Sequence, residues 1–341
     1  MTDSRVRRIP PAVKSRLKVM FLAKHALAGG RLDAEDGSHA IYHHEMLTTL
    51  QAIGLDIEPA NSYEALWAKP DVDFVVPLLN RGGFQNSEML APLLCERHGL
   101  PYLGASPIIR GLADDKHLSK LVAKRHDVPT TPWVAYRRGQ HISAPGFGWE
   151  RLVVKPNASS ASWGVKVVDS WFEALAHVHD LHAQGHDVIV EPWVPLVDVA
   201  VPVIGADGPW MLPPMAYLPD DPGRVRSYEE KRNLVATSAD DPLEPVRDEA
   251  LLERLGAYTA ALLKELWPFD YGRFEYRYDP VTGALKFMEV NLSCNLWSKK
   301  TISRAAGTLG ISHEALVETI VAHSLDRQGI GKPARRLAVA A

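Results

Sequence analysis

Few cysteines and no long apolar runs are present, and both absences narrow the class of protein. Cys95 and Cys294 are the only cysteines, which is too few for a disulfide framework, and no paired Cys/His spacing predicts structural zinc. No apolar run reaches the length of a membrane-spanning helix. We therefore expect a protein of the reducing cytoplasm that has no membrane partner.

A strong charge of one sign is also absent. The formal net charge is −3 at pH 7, so no basic field attracts nucleic acid or anionic lipid. We expect small-molecule partners, and a homodimer is the assembly that we consider. The first residues are basic, but a proline pair replaces the apolar core of a signal peptide. We interpret residues 1–16 as a flexible leader.

The chain has 341 residues, 46% of them apolar, which is enough for two or three packed units. Residues 17–113 alternate strand-like and helical patterns, which favours a parallel sheet flanked by helices. Residues 114–195 place β-rich runs around the small-residue loop NASSAS. Residues 196–325 contain an alternating strand, an amphipathic helix and a β-hairpin, and residues 326–341 form a basic tail.

The predicted hairpin joins YGRFEYRY to ALKFMEVN through DPVTG. With Asp279 opposite Leu285, four polar side chains share one face. They are Arg273, Glu275, Glu289 and Asn291. Carboxylates that oppose each other need a counter-ion, and an all-oxygen set beside an arginine suits Mg²⁺ with phosphates better than zinc. For the hairpin alone, a solvated face with surface salt bridges stays an open alternative.

Two other strand ends carry charges suited to a nucleotide. Lys155 ends RLVVKP just before NASSAS, so one cation and several backbone N–H groups can surround phosphates. The residue order of a Walker loop is absent, and a plain linker is the alternative for this loop alone. Glu191 ends the run VIVE, where its carboxylate can accept a hydrogen bond from an exocyclic amine.

Taken in order, these segments resemble the ATP-grasp superfamily and, within it, the D-alanine-D-alanine ligase group. The resemblance covers residues 72–322 and includes DDKHLSKL, LVVKPNASSASWGV, VIVEPWV, SYEEKRNL, GRFEYRY and FMEVN. It implies a three-lobed α/β (α+β) fold, with an N-terminal parallel α/β domain at 17–113, a central lid domain at 114–195 and a C-terminal mixed-sheet catalytic domain at 196–325. It also implies a ligase that joins a carboxylate to an amine through an acyl phosphate and releases ADP and phosphate.

The resemblance also implies the roles of individual residues. The set expected at ATP consists of Lys116 and Lys155 at the α and β phosphates, Ser162 and Gly164 in the lid, Glu191 with the backbone of Trp193 and Val194 at adenine, Asp198 at the ribose, and Lys231 near adenine and the γ-phosphate. Two Mg²⁺ ions, for which Mn²⁺ can substitute, are assigned to Glu275, Glu289 and Asn291. Arg273 is expected to steady the acyl phosphate, so that Arg273 and Lys231 are the catalytic candidates.

The substrate end departs from the D-alanine-specific pattern. Asn291 is followed by LSCNLWSKK without a Pro-Gly turn, and Arg232 and Ala161 replace a tyrosine and a serine. Because one missing polar contact changes substrate choice strongly, we expect ATP chemistry on a changed acid and amine. The candidates for binding a substrate carboxylate are Arg232, Lys299 and Lys300, and the first substrate is expected near His39, His43 and His44.

Three alternatives are left open. D-alanine-D-alanine ligase itself is the closest one. A catalytically inactive nucleotide-binding regulatory protein is an alternative of another class, and the intact polar set of the hairpin argues against it. A thioester at Cys294 is disfavoured because no His/acid partner is identifiable, and a cysteine is often a small packing residue.

Overall fold

The structure is a computed structural model that describes residues 3–79, 87–159, 161–218, 227–235, 242–292 and 294–330. The part of the predicted tail beyond residue 330 lies outside the described residues, as do residues 219–226 and 236–241. The described strands form three sheets, and each of these sheets lies within one of the three ranges expected from sequence.

The first sheet is parallel, with the order β2-β1-β3. Its group comprises α1 (Pro11–Lys14), β1 (Lys18–Leu22), α2 (His39–Ala52), β2 (Asp56–Ala60), β3 (Phe74–Pro77), α3 (Leu90–His98) and α4 (Pro107–Asp114), with 3-10 turns at Tyr63–Leu66 and Ser87–Met89. The apolar run of β1 takes the central place because both of its faces are covered. Beyond β3, Tyr102 adds a single parallel bridge to Val75.

The second sheet has the order β4-β7-β5-β6, and its pairs are antiparallel. Its group comprises α5 (Lys116–Arg125), β4 (Val134–Tyr136), β5 (Leu152–Pro156), β6 (Lys166–Val168), α6 (Trp171–Ala183) and β7 (Val188–Pro192). The apolar residues of α6 pack on Leu152 and Val154 of β5 to form a separate small core. The charged residues at the ends of β5 and β7 therefore lie at the edge of a well-packed unit.

The third sheet runs β11-β10-β8-β12-β13, with β9 paired to β8. Its group comprises β8 (Val197–Gly205), β9 (Pro209–Met211), β10 (Met215–Tyr217), α7 (Tyr228–Lys231), β11 (Leu243–Pro245), α8 (Glu249–Leu266), β12 (Tyr271–Tyr278), β13 (Leu285–Asn291), α9 (Thr301–Thr308) and α10 (His313–Arg327). We expected a mixed sheet, but the named pairs of its described strands are antiparallel.

The hairpin of β12 and β13 has the predicted pairing where the polar residues lie. Arg273 faces Asn291 and Glu275 faces Glu289. The contact between β13 and the second group is fixed by the Phe287 N–H, which donates to the Pro129 carbonyl at 2.7 Å. Two residues further along β13, Glu289 contacts Lys116 at the start of α5.

The alignment assumed at the hairpin turn is wrong by one residue. Tyr278, and not Asp279, lies opposite Leu285. A β-bulge follows Glu275, where the partner strand steps from Glu289 to Phe287 and takes up the extra residue. The bulge restores the pairing expected for the polar face, although the premise at the turn was mistaken.

The expected flexible leader is also wrong for residues 5–14, which pack against α10. Ile9 and Val13 are buried in the largest core. The Ile9 N–H donates to Glu318 Oε1 at 3.0 Å, and Lys14 Nζ lies 2.7 Å from the same oxygen. The segment is ordered because a buried carboxylate of α10 needs these partners. Among the described helices, none combines the length and apolar character required to cross a bilayer.

Candidate active site

Lys116 and Glu289 join the second group to the hairpin. The side chain of Asp115 caps α5 by accepting from the Leu118 N–H, which places Lys116 at the first helical position. Lys116 Nζ lies 3.2 Å from Glu289 Oε2 and donates to the Ser159 carbonyl at 2.7 Å. One of the expected phosphate ligands therefore lies beside one of the expected metal ligands.

Glu191 and Lys155 form a buried ion pair at the ends of β7 and β5. These strands are neighbours, and Lys155 Nζ donates to Glu191 Oε2 at 3.1 Å. Lys155 is 6% exposed and Glu191 1%. A pair so far removed from water requires close geometry and additional partners to be stable.

The additional partner is Lys120, which the sequence reasoning missed. Lys120 is fully buried, and its ammonium lies 3.0 Å from Glu191 Oε1 and donates to the hydroxyls of Thr130 and Thr131 at 2.7 and 2.8 Å. The signal that could have revealed it is helical spacing, because Lys120 follows Lys116 by four residues on α5.

The electrostatics of this buried group follow from its two cations and one anion. Burial alone would raise the pKa of Glu191, but Lys120 and Lys155 outweigh burial and lower the pKa to about 2. Burial also lowers the pKa of Lys120 to about 8, although Glu191 acts in the opposite direction. Since Lys120 is still mostly protonated at neutral pH, this part of the site carries an excess of positive charge that suits phosphate.

The polar face of the hairpin is accessible to ligands. The side chains of Glu275 and Glu289 are 27% and 30% exposed. Arg273 donates through Nε and Nη2 to Glu275 Oε1 at 2.9 and 2.6 Å. Burial and the facing Glu289 raise the pKa of Glu275 against the effect of Arg273, whereas Lys116 and Lys155 lower the pKa of Glu289 despite its burial. Opposed carboxylates and an amide oxygen are a donor set that fits Mg²⁺.

A second contact of Arg273 reaches the start of α9. Arg273 Nη1 donates to Thr301 Oγ1 at 3.3 Å, and the same oxygen is hydrogen-bonded to the Tyr217 hydroxyl on β10. Sequence reasoning assigned no role to Thr301 or Tyr217, and nothing in their local sequence distinguishes them. The guanidinium is therefore held from two sides.

The residues expected at adenine and ribose are organised by Arg277. Its Nε donates to Asp198 Oδ1 and its Nη1 to the Val194 carbonyl, both at 2.7 Å, and its guanidinium lies 4.8 Å from the centre of the Trp193 ring. The Trp193 N–H donates to the Arg151 carbonyl at 2.8 Å. Two backbone groups of the expected base-binding segment are thus already engaged within the protein.

Lys231 and Ser162 are joined across the expected lid. Lys231 Nζ donates to Ser162 Oγ at 2.6 Å. Ala161 and Ser162 both have positive φ angles, of 56° and 59°, a conformation that non-glycine residues rarely adopt. Gly164 has a structural reason to be glycine, because an added Cβ would lie 2.8 Å from Pro156 Cγ.

The loop before α2 is connected to α7. Asp36 is the centre of this contact, since its carboxylate accepts from the Tyr228 hydroxyl at 3.0 Å, lies 2.6 Å from Lys24 Nζ and bonds to His25 Nε2 at 2.9 Å. Arg232, a substrate candidate, is buried, with its guanidinium 5.2 Å from the centre of the Tyr228 ring.

The three histidine candidates lie in the first turns of α2, and His43 is the most enclosed of them. Its ring stacks with that of His25 and meets that of His39 edge-on, and its Nδ1 accepts from the His25 N–H at 3.2 Å. Burial lowers the pKa of His43 to about 3, so it is neutral at physiological pH. His44 packs against Gly30. The His39 N–H donates to the Asp36 carbonyl at 3.1 Å, so the start of α2 lies beside Asp36.

The turn that precedes α9 carries the two lysine candidates. Lys299 and Lys300 place their ammonium groups 5.4 and 5.9 Å from the centre of the Trp297 ring. Trp297 is buried and is fixed by Glu45, a residue of α2 that sequence reasoning did not select. Burial raises the pKa of the nearby Cys294 thiol to about 12, which agrees with a packing role for this cysteine and not a nucleophilic one.

Comparisons with known proteins identify the family and relatives of this chain. Residues 122–322, more than half of the chain, match the family described as D-ala D-ala ligase C-terminus. A D-alanine--D-alanine ligase of Pseudomonas fluorescens is 27% identical over 94% of this chain and 95% of its own. One from Aquifex aeolicus is 25% identical over 78% of this chain and 87% of its own.

Solved structures show the same fold. A D-alanine--D-alanine ligase from Bacillus anthracis, solved in complex with ATP, has a TM-score of 0.71 at 20% identity, over 92% of this chain and 99% of its own. VanG D-Ala:D-Ser ligase from Enterococcus faecalis has a TM-score of 0.66 at 15% identity, over 90% and 99%. The predicted ATP-grasp fold is confirmed, and the chain belongs to the D-ala D-ala ligase family as an ATP-grasp ligase that forms C–N bonds between carboxylates and amines.

Proposed function

We propose that this protein uses ATP and Mg²⁺ to join the carboxylate of one small amino-acid-like substrate to the amine of a second substrate that carries an additional anionic group. The observation that carries the proposal is the accessible face where Glu275 and Glu289 oppose each other between Arg273 and Lys116. Four charges in that order suit a phosphate group and the ions that accompany it.

The reaction needs positioning more than it needs a protein nucleophile. An oxygen of the first carboxylate forms a bond to the γ-phosphorus of ATP, and the bond to ADP breaks. The amine nitrogen of the second substrate then bonds to the acyl carbon, phosphate leaves with its bridging oxygen, and the nitrogen gives up a proton. Lys116, Lys155 and Lys231 neutralise phosphate oxygens, and Arg273 neutralises the acyl phosphate.

The metal site is assigned to Glu275, Glu289 and Asn291. Two facing carboxylates repel each other unless a cation lies between or beside them, and their oxygen atoms are the ligands Mg²⁺ prefers. When bound, Mg²⁺ neutralises charge that develops on the transferred phosphate.

The adenine site is narrowed to Glu191, the Trp193 carbonyl and the Val194 N–H. The Trp193 N–H is excluded from this proposal because its one proton is donated to the Arg151 carbonyl, whereas Glu191, although paired with Lys120 and Lys155, keeps acceptor lone pairs for an amine. Asp198 remains the residue proposed for the ribose.

The amine substrate is proposed to be anionic because of the turn before α9. Lys299 and Lys300 lie over one tryptophan ring, and the sequence at this turn lacks the Pro-Gly pair. Lysine ammonium groups bind carboxylates and phosphates as point charges. The structural neighbour from Enterococcus faecalis is a D-Ala:D-Ser ligase, which supports the view that this fold accepts more than one amine partner.

D-alanine-D-alanine ligation is the second candidate. The names of the Pseudomonas and Aquifex relatives favour it, since each is a D-alanine--D-alanine ligase. Ala161 and Arg232 stand where the family pattern has a serine and a tyrosine. Together with Lys299 and Lys300, they argue for a different amine substrate. The two candidates share the ATP chemistry and differ in the amine.

A screen of acid and amine pairs for ADP release by the purified protein tests the proposal. We expect ADP and phosphate with an anionic amine, poor turnover with two D-alanines, and transfer of ¹⁸O from the substrate carboxylate to phosphate. Release of AMP and pyrophosphate would contradict the acyl phosphate. Efficient synthesis of D-alanyl-D-alanine would contradict the proposed amine and support the second candidate.

A further inference from the structure

The turn between the metal-binding strand and α9 is held by a residue 252 positions away in sequence. Glu45, in the middle of α2, accepts from the Ser298 N–H through Oε1 at 2.8 Å. Its Oε2 accepts from the Trp297 indole at 2.9 Å and from the Ser298 hydroxyl at 3.0 Å. One carboxylate therefore satisfies three donors of the turn.

Other hydrogen bonds in this turn are also made within the protein. The Leu296 N–H donates to the Tyr42 hydroxyl at 3.2 Å, the Trp297 N–H to Asn295 Oδ1 at 2.7 Å and the Lys300 N–H to the Trp297 carbonyl at 2.8 Å. Because these three backbone N–H groups already donate within the protein, they are not available to a ligand. We therefore expect the turn to contact a ligand through its side chains, above all Lys299 and Lys300.

The far end of the turn is fixed separately. Thr301 begins α9 and is hydrogen-bonded to both Arg273 and Tyr217. Lys299 and Lys300 lie between this point and the contacts of Glu45. The position of the two lysines thus depends on Arg273 at one end and on α2 at the other.

Charge-assisted hydrogen bonds to a carboxylate are stronger than neutral ones, and a donor left without its partner loses more than the bond itself. Trp297 is buried, so the orientation of its ring is controlled by packing and by its single N–H. Since the two ammonium groups lie over that ring, a change in its orientation would move them.

We propose that Glu45 is a positioning residue of this ligase, which acts through Trp297 and Ser298 to hold Lys299 and Lys300 where an anionic amine substrate binds. The inference rests on the proposed function and deepens it, because it names the residue that controls specificity for the amine. Glu45 itself contacts no reacting atom in this role.

The test compares Glu45→Gln with wild type in steady-state kinetics on the full-length protein, using anionic and neutral amines. A glutamine can accept through only one of its two terminal atoms, so it cannot serve both the Ser298 N–H and the Trp297 indole. We expect the KM for the anionic amine to rise about tenfold, with the KM for ATP and for a neutral amine changed less than about twofold. Glu314→Gln, an exposed carboxylate at the start of α10, is the matched control and should behave as wild type.

The direction of the effect distinguishes positioning from charge. Removing a negative charge near two lysines would by simple electrostatics lower the KM for an anion, whereas loss of positioning raises it. Ser298→Ala, which removes only the hydroxyl that donates to Glu45 Oε2, should give a smaller rise, and the double variant should be no worse than Glu45→Gln alone. If Glu45→Gln does not fold, the second variant alone still tests whether the contacts of Glu45 set the KM for the anionic amine.

Three results would overturn the inference. One is an unchanged or lower KM for the anionic amine in both variants, a second is an equal rise for ATP and for neutral amines, and a third is strict additivity in the double variant. If the wild-type protein ligates no acid and amine pair at all, the proposed function fails, and the proposed role of Glu45 fails with it. Wild-type ligation with an indifferent Glu45→Gln refutes the inference alone.

Discussion

The proposed nucleotide half and the proposed substrate half of the site are built in different ways. The nucleotide half, defined by Lys116, Lys120, Lys155, Glu191 and the hairpin face, places each charge at a strand end, on a helix or on a strand face, with oppositely charged partners close by. The substrate half comprises the loop at 24–38, α7 and the turn at 294–300. Its key contacts join Glu45 to Trp297 and Asp36 to Tyr228, separated by 252 and 192 residues.

This difference separates chemistry from selectivity. Charges on regular elements are held by the same hydrogen bonds that form the sheets, so we expect the proposed ATP chemistry to tolerate sequence change elsewhere in the chain. A site made from contacts between distant loops can change one partner at a time. Substitutions made in each half test whether the two are in fact separable.

The largest effect is expected from the hairpin in the nucleotide half. Glu289→Gln removes a proposed ligand of Mg²⁺ and leaves Lys116 without its ionic partner at 3.2 Å. We expect kcat/KM for ligation to fall at least about a thousandfold with every amine, because charge on the transferred phosphate is no longer neutralised. Glu265→Gln, at the exposed ion pair with His126, is the control. Turnover near that of wild type would exclude the hairpin from the mechanism.

In the nucleotide half, the sequence predicts the residues that follow from strand alternation and misses those that depend on tertiary partners. Strand alternation placed Arg273 and Glu275 on one face, and the bulge beside Tyr276 corrected the mistaken alignment at the turn. Lys120 was missed because a buried lysine on an amphipathic helix has the same pattern as an exposed one until its partner is known. Glu191, its partner, lies on a strand several elements further along the chain.

The substrate half was less predictable for a physical reason. Nothing in the sequence around Glu45 or Tyr217 distinguishes them from other helix and strand residues, and their partners are reached only through tertiary packing. Arg232 was expected to bind a carboxylate, and the structure places its guanidinium on the Tyr228 ring, buried beneath the surface. Its role stays a prediction.

The second largest effect concerns stability and pH. The native pKa of Glu191, about 2, lies below its ordinary value of 4.5, so its ion pairs stabilise the fold above pH 4.5, and this contribution is lost as pH falls toward 2. The shift corresponds to something on the order of 3 kcal/mol. We expect wild type to exceed Glu191→Gln in the denaturation midpoint at pH 7, and the difference to shrink as pH falls below 4.5. A difference independent of pH would contradict this assignment.

A smaller effect should separate nucleotide binding from turnover. Arg277→Met removes the hydrogen bonds to Asp198 and to the Val194 carbonyl, together with the cation that lies over Trp193. We expect the KM for ATP to rise about tenfold, with kcat and the KM for the amine nearly constant, because the lost contacts support uniform binding. Arg254→Met, which loses a carbonyl contact at the hairpin turn, is the control. A matching fall in kcat would mean that the adenine side also positions the reacting phosphate.

The smallest effect is the one that tests the substrate half directly. Lys300→Met keeps most of the apolar stem and removes the ammonium near Trp297. If that ammonium binds an anionic group of the amine substrate, its loss should raise the KM for that substrate several-fold while the KM for ATP stays constant, since a solvent-accessible charge contact contributes about 1 kcal/mol. Raising the ionic strength should reduce the difference between wild type and variant, because salt screens such contacts.

Lys166→Met, an exposed lysine on β6, controls for the loss of one surface charge. Equal KM values for the amine in wild type and Lys300→Met at low salt would show that the lysine pair does not select the substrate, and the difference between the two halves would then have to come from the loop around Asp36.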